Sequence, residues 1–345
     1  MYIQRNFNLK QVWQFSGNHI LKLLAWSTFV AAIFYIGAIE WLKIPWLPLS
    51  LIGTAVAFYV GFKNNNSYGR MWEARKIWGA IVNSSRAWGS YVKAFISDQF
   101  TEDSYTEDEL YFIKKRLIYR HIAWLYSLRS QLLIPTPWEH SKQEGFVGMV
   151  TRKRREELGV GLMDDEVTEV ELKKLLVTEE YKELIQYQNT ATQLIDKQSG
   201  ELADLKEKGL IDSFRHMELQ QILQDFYIHQ GKCERIKKFP LPRQYGGMSI
   251  IFVQIFIFLL PFGMISEFAK LGEWGILLAI PFTVLVSWVY LVMELVGDYS
   301  ENPFQGLGND IPMLSLCRTI EIDLREMLGE KELPPAIQAK DSVLM

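Results

Sequence analysis

Thr54, Phe58 and Phe62 recur every fourth residue, so they fall on one stripe when the stretch from Leu47 to Trp78 is drawn as a helix. None of the three titrates near neutral pH, and the chemistry open to them is that of a constriction. An apolar neck admits or excludes ions by wetting and dewetting, without coordinating oxygens. Gly53, Ala57 and Gly61 form a second stripe, about 100° away round the helix. Small residues at that spacing let helix backbones approach closely in lipid, where packing replaces the hydrophobic effect. Copies of such a helix in a ring would set the small stripe against a neighbour and aim the phenylalanines at a common axis. The same periodicity also suits Phe58 and Phe62 facing lipid or a partner helix.

Other reactive residue types are scattered. The five histidines (His19, His121, His140, His216, His229) lack metal-ligand spacing, with no HExxH, no CxxC pair and no regular carboxylate cluster. Neither a metal nor another cofactor is expected. GLGND at 306 to 310 lacks the Lys-Ser/Thr of a phosphate loop and the spacing of a dinucleotide motif. No nucleophile elbow or triad stands out, so an enzyme is not expected. Cys233 and Cys317 both fall in segments assigned to the cytoplasm, where a structural disulfide is disfavoured. Arg152 to Arg155 reads as a solvated basic run, and Arg120, His121, Trp124 and Arg129 read as packing partners within a bundle.

Four apolar runs near the two ends of the 345-residue chain must position the stripe. The first spans residues 20 to 42, near the ~20 residues a helix needs to cross ~30 Å of hydrocarbon. Lys43, Pro45 and Pro48 punctuate a turn, and the second span covers 47 to 62, which tilt or burial inside a ring could accommodate. No turn signal follows it, so one helix is expected to leave the membrane and continue. The third and fourth spans, 248 to 268 and 274 to 295, contain Pro261 and Pro281, tolerated where neighbouring helices take up the freed carbonyls.

Between them, residues 63 to 247 form a helical region without a spanning window, and 296 to 345 form a polar C-terminal segment. Amphipathic helices are expected at 70–98, 107–133, 169–195 and 210–238, with an exposed excursion at 138–168 and a break at Gly200. A last helix is expected at 315–328, followed by a tail that is either a strap or disordered. Lys and Arg crowd the segments before span one, after span two and before span three. The positive-inside bias therefore places both termini and the middle region in the cytoplasm of a multi-pass inner or plasma membrane protein. No secretory signal is expected, because the N-terminus lacks a short apolar core with a cleavage site. The net charge of −3 carries no basic excess for binding nucleic acid.

Four long segments, NNNSYGRMWEARKIWG (64–79), RHIAWLYSLRSQL (120–132), QGKCERIKKFPLPRQY (230–245) and ENPFQGLGNDIPMLSLCRTIE (301–321), together resemble the bestrophin family, its bacterial branch above all. That resemblance covers nearly the whole chain in order. It implies an all-α, four-span subunit in a homopentameric ion channel within the bilayer. It also implies a neck lined by one side chain per turn of the second span. Counted from Arg70 and Trp72, those positions are Thr54, Phe58 and Phe62, the stripe that periodicity singles out. A second constriction at the cytosolic end falls on Phe214, with Ile211 as the fallback register.

Two departures from the family pattern matter. Animal relatives follow Asn-Pro-Phe with an acidic run that holds calcium. This chain follows Asn302-Pro303-Phe304 with Gln305, Gly306, Leu307, Gly308, Asn309 and Asp310, too few carboxylates for such a site. Thr54 brings a hydroxyl where the family has an apolar residue, wetting one end of the neck. The resemblance implies conduction of small monovalent ions, chloride and other anions first, with a sodium or potassium channel of the same fold as the alternative. A membrane-anchored scaffold that docks a cytosolic partner is the rival from another class.

Overall fold

A computed structural model describes residues 1–37, 43–158 and 166–345 of the chain. Among these residues the regular structure is helical, with two isolated β-bridges near the termini. The helices divide into two compact units.

The first unit, residues 4–70 and 240–302, contains α1 (Leu9–Tyr35), the first half of α2 (Trp46–Phe95), α9 (Arg243–Phe268) and α10 (Glu273–Asp298). All four helices are long and apolar enough to cross a membrane. α1 starts eleven residues earlier than the apolar run suggests. Asn8 caps it, accepting from Gln11 N–H while the Gln11 side chain accepts from Asn8 N–H. This reciprocal box starts a helix whatever the hydropathy of its first turns. The end of the expected first span, 38–42, lies outside the described residues.

Packing in this unit sets polar contacts beside an apolar cluster. Leu49, Val56 and Val60 of α2 pack on Val253, Phe256 and Leu260 of α9. Beside them the interior holds Ser16, Ser27, Ser249, Thr283, Ser287, Lys63 and Glu294. Leu278, Phe282, Leu285 and Val289 point outward. Helices that associate in lipid behave this way, gaining from small and hydrogen-bonding contacts because apolar side chains are equally at home outside. Trp288 Nε1 donates to Ser16 Oγ at 3.0 Å, one such contact between α10 and α1. Pro281 and Pro261 lie inside unbroken helices, as expected of prolines whose neighbours take up the freed carbonyls.

The second unit, residues 1–3, 71–239 and 303–345, continues α2 and adds α3 (Glu107–Leu133), α4 (Gly145–Glu157), α5 (Glu166–Leu175), α6 (Thr178–Leu184), α7 (Thr190–Glu207), α8 (Ser213–Lys238) and α11 (Met313–Met327). α3 has the expected bounds, with Thr106 and Glu109 forming a capping box and three acidic residues in the first turn. From Leu117 to Leu133 it is almost wholly buried, and its Trp124 shares a core with Trp78, Trp88 and Phe226.

Three expectations need correction here. The stretch 169–195 is broken by bends near 177 and 186–189, because Asn189 caps a fresh helix by accepting from Thr192 N–H. α7 runs through Gly200, where a break was expected. A single interior glycine costs a helix only about 1 kcal/mol. The basic run is part of α4 rather than of an exposed loop, although residues 159–165 of the expected excursion lie outside the described residues. Arg155 is buried, donating to Leu133 O at 2.8 Å and Ser141 Oγ at 3.2 Å, and Arg152 donates to Ser141 O. Two unpaired carbonyls and a hydroxyl attract guanidinium donors that a count of charges cannot foresee.

Candidate functional site

The face of α2 opposite its packing partners carries the stripe. Within the first unit its buried residues are Leu49, Gly53, Val56, Val60, Lys63 and Ser67. Phe58 and Phe62 lie two residues either side of Val60, roughly 160° round the helix from it. Phe58 is 67% exposed and Phe62 61% exposed, high values for phenylalanines on so apolar a helix. Thr54 is also exposed, so all three expected neck residues stand on one open face that rises about 12 Å along the axis. Thr54 Oγ1 donates to Ser50 O at 2.9 Å, so its proton is committed within the helix and it offers only an oxygen and a methyl group outward.

The small stripe is divided. Gly53 is taken up inside its own chain, where an added Cβ would stand 2.8 Å from the Phe256 ring. Tyr290 Oη donates to Gly53 O at 3.0 Å across the same close approach. Ala57 is half-buried, and Gly61 has open space beside it.

In the second unit, Phe214 is 83% exposed in the first turn of α8, where Asp212 caps the helix by accepting from Phe214 N–H and Arg215 N–H. Ile211, three residues earlier, is 1% exposed within the unit's core. Of the two registers, only Phe214 presents a free ring.

The Asn-Pro-Phe turn leads to a buried carboxylate. Asp310 accepts from the N–H groups of Phe304, Gly306 and Ile311 at 2.7–2.9 Å. Burial raises its pKa, with these three hydrogen bonds and the Lys237 charge pulling the other way. Lys237 Nζ lies 2.5 Å from Glu139 Oε1 and donates to Phe304 O, so a protein cation serves that carbonyl as backbone amides serve Asp310. No group of three or more metal-binding side chains forms among the described residues.

One residue beyond Phe62 lies a polar cluster that spacing along the sequence does not single out. Lys63 Nζ sits 2.5 Å from Glu294 Oε1 of α10, and Ser249 Oγ of α9 donates to the other oxygen of that carboxylate. All three side chains are buried. Asn64 Nδ2 donates to Met293 O at 2.9 Å, and its amide lies against Gly297, which has no side chain to block it. A lysine and a glutamate at the edges of apolar runs were the available signal, since intramembrane charges are costly and cluster with a partner.

With this geometry described, likeness to known proteins becomes informative. A family model described as Bacterial/Fungal Bestrophin protein matches residues 16–326. The chain belongs to the bestrophin family. Among its bestrophin relatives, the voltage-dependent anion channel-forming protein YneE of Escherichia coli (strain K12) is 25% identical over 337 residues, covering 95% of this chain and 94% of that one. A voltage-dependent anion channel-forming protein of Ralstonia nicotianae is 26% identical over 298 residues, covering 86% and 82%. A crystal structure of a bacterial bestrophin homolog from Klebsiella pneumoniae matches with a TM-score of 0.71 at 22% identity, covering 91% of this chain and 98% of that one. At that identity the likeness carries the fold: all-α, with four membrane-crossing helices.

Proposed function

We propose that this bestrophin is a channel for small monovalent anions, chloride foremost. Five identical subunits surround one pore in the cell's inner or plasma membrane, with both termini and the helical second unit in the cytoplasm. The observation that carries this reading is the open phenylalanine face of α2. Two large rings stand free on the side away from every packing partner, in a family whose curated relatives bear the name of anion channel-forming proteins. A ring of such faces makes a neck at Thr54, Phe58 and Phe62, dry at the phenylalanines, and Phe214 supplies a second narrowing. Aromatic edges carry positive charge and faces negative, so edges turned inward favour anions. Ala57 and Gly61 flank the neck and would allow close approach of the next subunit, whereas Gly53 serves contacts within the chain.

Purified protein in liposomes under a KCl gradient tests the ion. A reversal potential near that of chloride is expected, and one near that of potassium would reassign the channel to cations. Replacing Phe58 and Phe62 with alanine should raise flux several-fold by removing the dry segment. Unchanged flux would remove the neck from these residues. Crosslinking of purified protein with no added partner should give a ladder ending at five, and a monomer alone would favour a scaffold.

A further inference from the structure

α2 is held at several places within the first unit. Near one end Tyr290 Oη and the Phe256 ring close on Gly53. Ten residues on, Lys63 reaches Glu294 and Asn64 reaches Met293 O. Between these pins Val56 and Val60 meet Val253 and Leu260, and Tyr59 Oη donates to Tyr245 O at 3.1 Å with its ring against Tyr245 and Phe252. Aliphatic contacts in lipid give little preference for one rotation of a helix over the next, and losing one neutral hydrogen bond costs only about 1 kcal/mol. A buried ion pair is different, because turning either partner away leaves a charge without compensation. One residue of slippage on α2 amounts to about 100° of rotation.

We propose that Lys63 and Glu294 are a positioning pair that fixes the rotation of α2 about its axis and thereby keeps the Phe58 and Phe62 rings on the unpacked side. Ser249 holds the Glu294 carboxylate by donating to the oxygen that Lys63 does not use. Asp298 Oδ1 lies 3.9 Å from the same ammonium and adds charge to the α10 side of the pair. The pair touches no permeating ion. It acts through the neck, one residue away along the helix, and so rests on the pore reading above.

Planar-bilayer recordings of the full-length channel test the pair. The double variant Lys63→Met with Glu294→Met buries no charge, and apolar replacements of a buried pair commonly leave stability intact. It should assemble as wild type yet lose the single conductance level, showing several levels and a shifted chloride-to-potassium permeability ratio. The exchange Lys63→Glu with Glu294→Lys restores a pair across the same two helices and should restore one level and the original ratio. Wild-type conductance and ratio in the double methionine variant would overturn the proposal, even if Lys63→Met alone failed to assemble. So would an exchange variant that assembles but keeps the altered ratio, since that would tie the effect to charge at one position. Phe58→Ala with Phe62→Ala, recorded alongside, separates the two questions. If it alters conductance while the methionine pair does not, the neck stands and the positioning role falls. If it alters nothing, the neck itself falls.

Discussion

The two units of the chain expose opposite things. In the second, Trp78, Trp88, Trp124 and Phe226 are sealed inside and the charged residues Asp196, Asp204, Lys206 and Glu207 lie on the exposed face of α7. In the first, Lys63, Glu294 and six hydroxyl side chains among the described residues lie inside beside a small apolar cluster, while Leu278, Phe282 and Leu285 of α10 face outward. A protein core in water is built by expelling apolar surface, whereas a core in lipid is built by pairing what lipid cannot pair. This contrast locates the solvent of each unit more directly than hydropathy does. It also makes the open rings of Phe58 and Phe62 unremarkable as exposed apolar groups and informative only by their direction.

The contrast breaks most readily at its largest side chain. Trp124 stacks on His121 and Phe226 and donates from Nε1 to Gln230 Oε1 at 3.1 Å. Trp124→Ala should cost about 3–5 kcal/mol, seen as a loss of folded protein or a strong fall in the unfolding midpoint. A change under about 1 kcal/mol would mean that the second unit lacks a water-type core.

Next in size is the outward face of the first unit. Leu285, midway along α10, is exposed, so Leu285→Ala should leave stability unchanged while Leu285→Lys costs insertion about 3 kcal/mol. A membrane-insertion assay that scored the lysine variant as neutral would place this face in water.

The smallest effect sharpens the description of the second unit. Burial lowers the His121 pKa from 6.5 to about 3, and its Nε2 lies 2.9 Å from Ser85 Oγ. Below pH 6.5 the unfolded chain binds a proton that the folded one refuses, so stability falls as pH drops from 6.5 towards 3. At pH 5 the loss is about 2 kcal/mol by this one group. His121→Asn should flatten that part of the denaturation profile, and an equally steep profile in the variant would assign the acid sensitivity elsewhere.

Much of the fold was legible in the chain. The 107–133 helix announced itself through Thr106, Glu109 and an acidic first turn, and the spans through their apolar runs. Period four put Thr54, Phe58 and Phe62 on one face, which the fold leaves open, and the family resemblance counted back from Gly231 offered Phe214, whose ring is exposed. Other features were not legible. Arg155 looked solvated because a run of four basic residues has no local feature that says which one turns inward. Gly53, Ala57 and Gly61 looked alike because spacing gives a stripe's azimuth but not its neighbour.

The sequence alone thus determined which segments could lie in lipid and which side chains shared a helix face. These follow from local spacing and from the free energy of transferring a segment into hydrocarbon. The tertiary structure decided which face of α2 was left open, that Phe256 occupies the space beside Gly53, and that Lys63 meets Glu294 some 230 residues later. Such choices depend on where a distant helix places one ring or one carboxylate, and periodicity within a single helix carries no information about its partner.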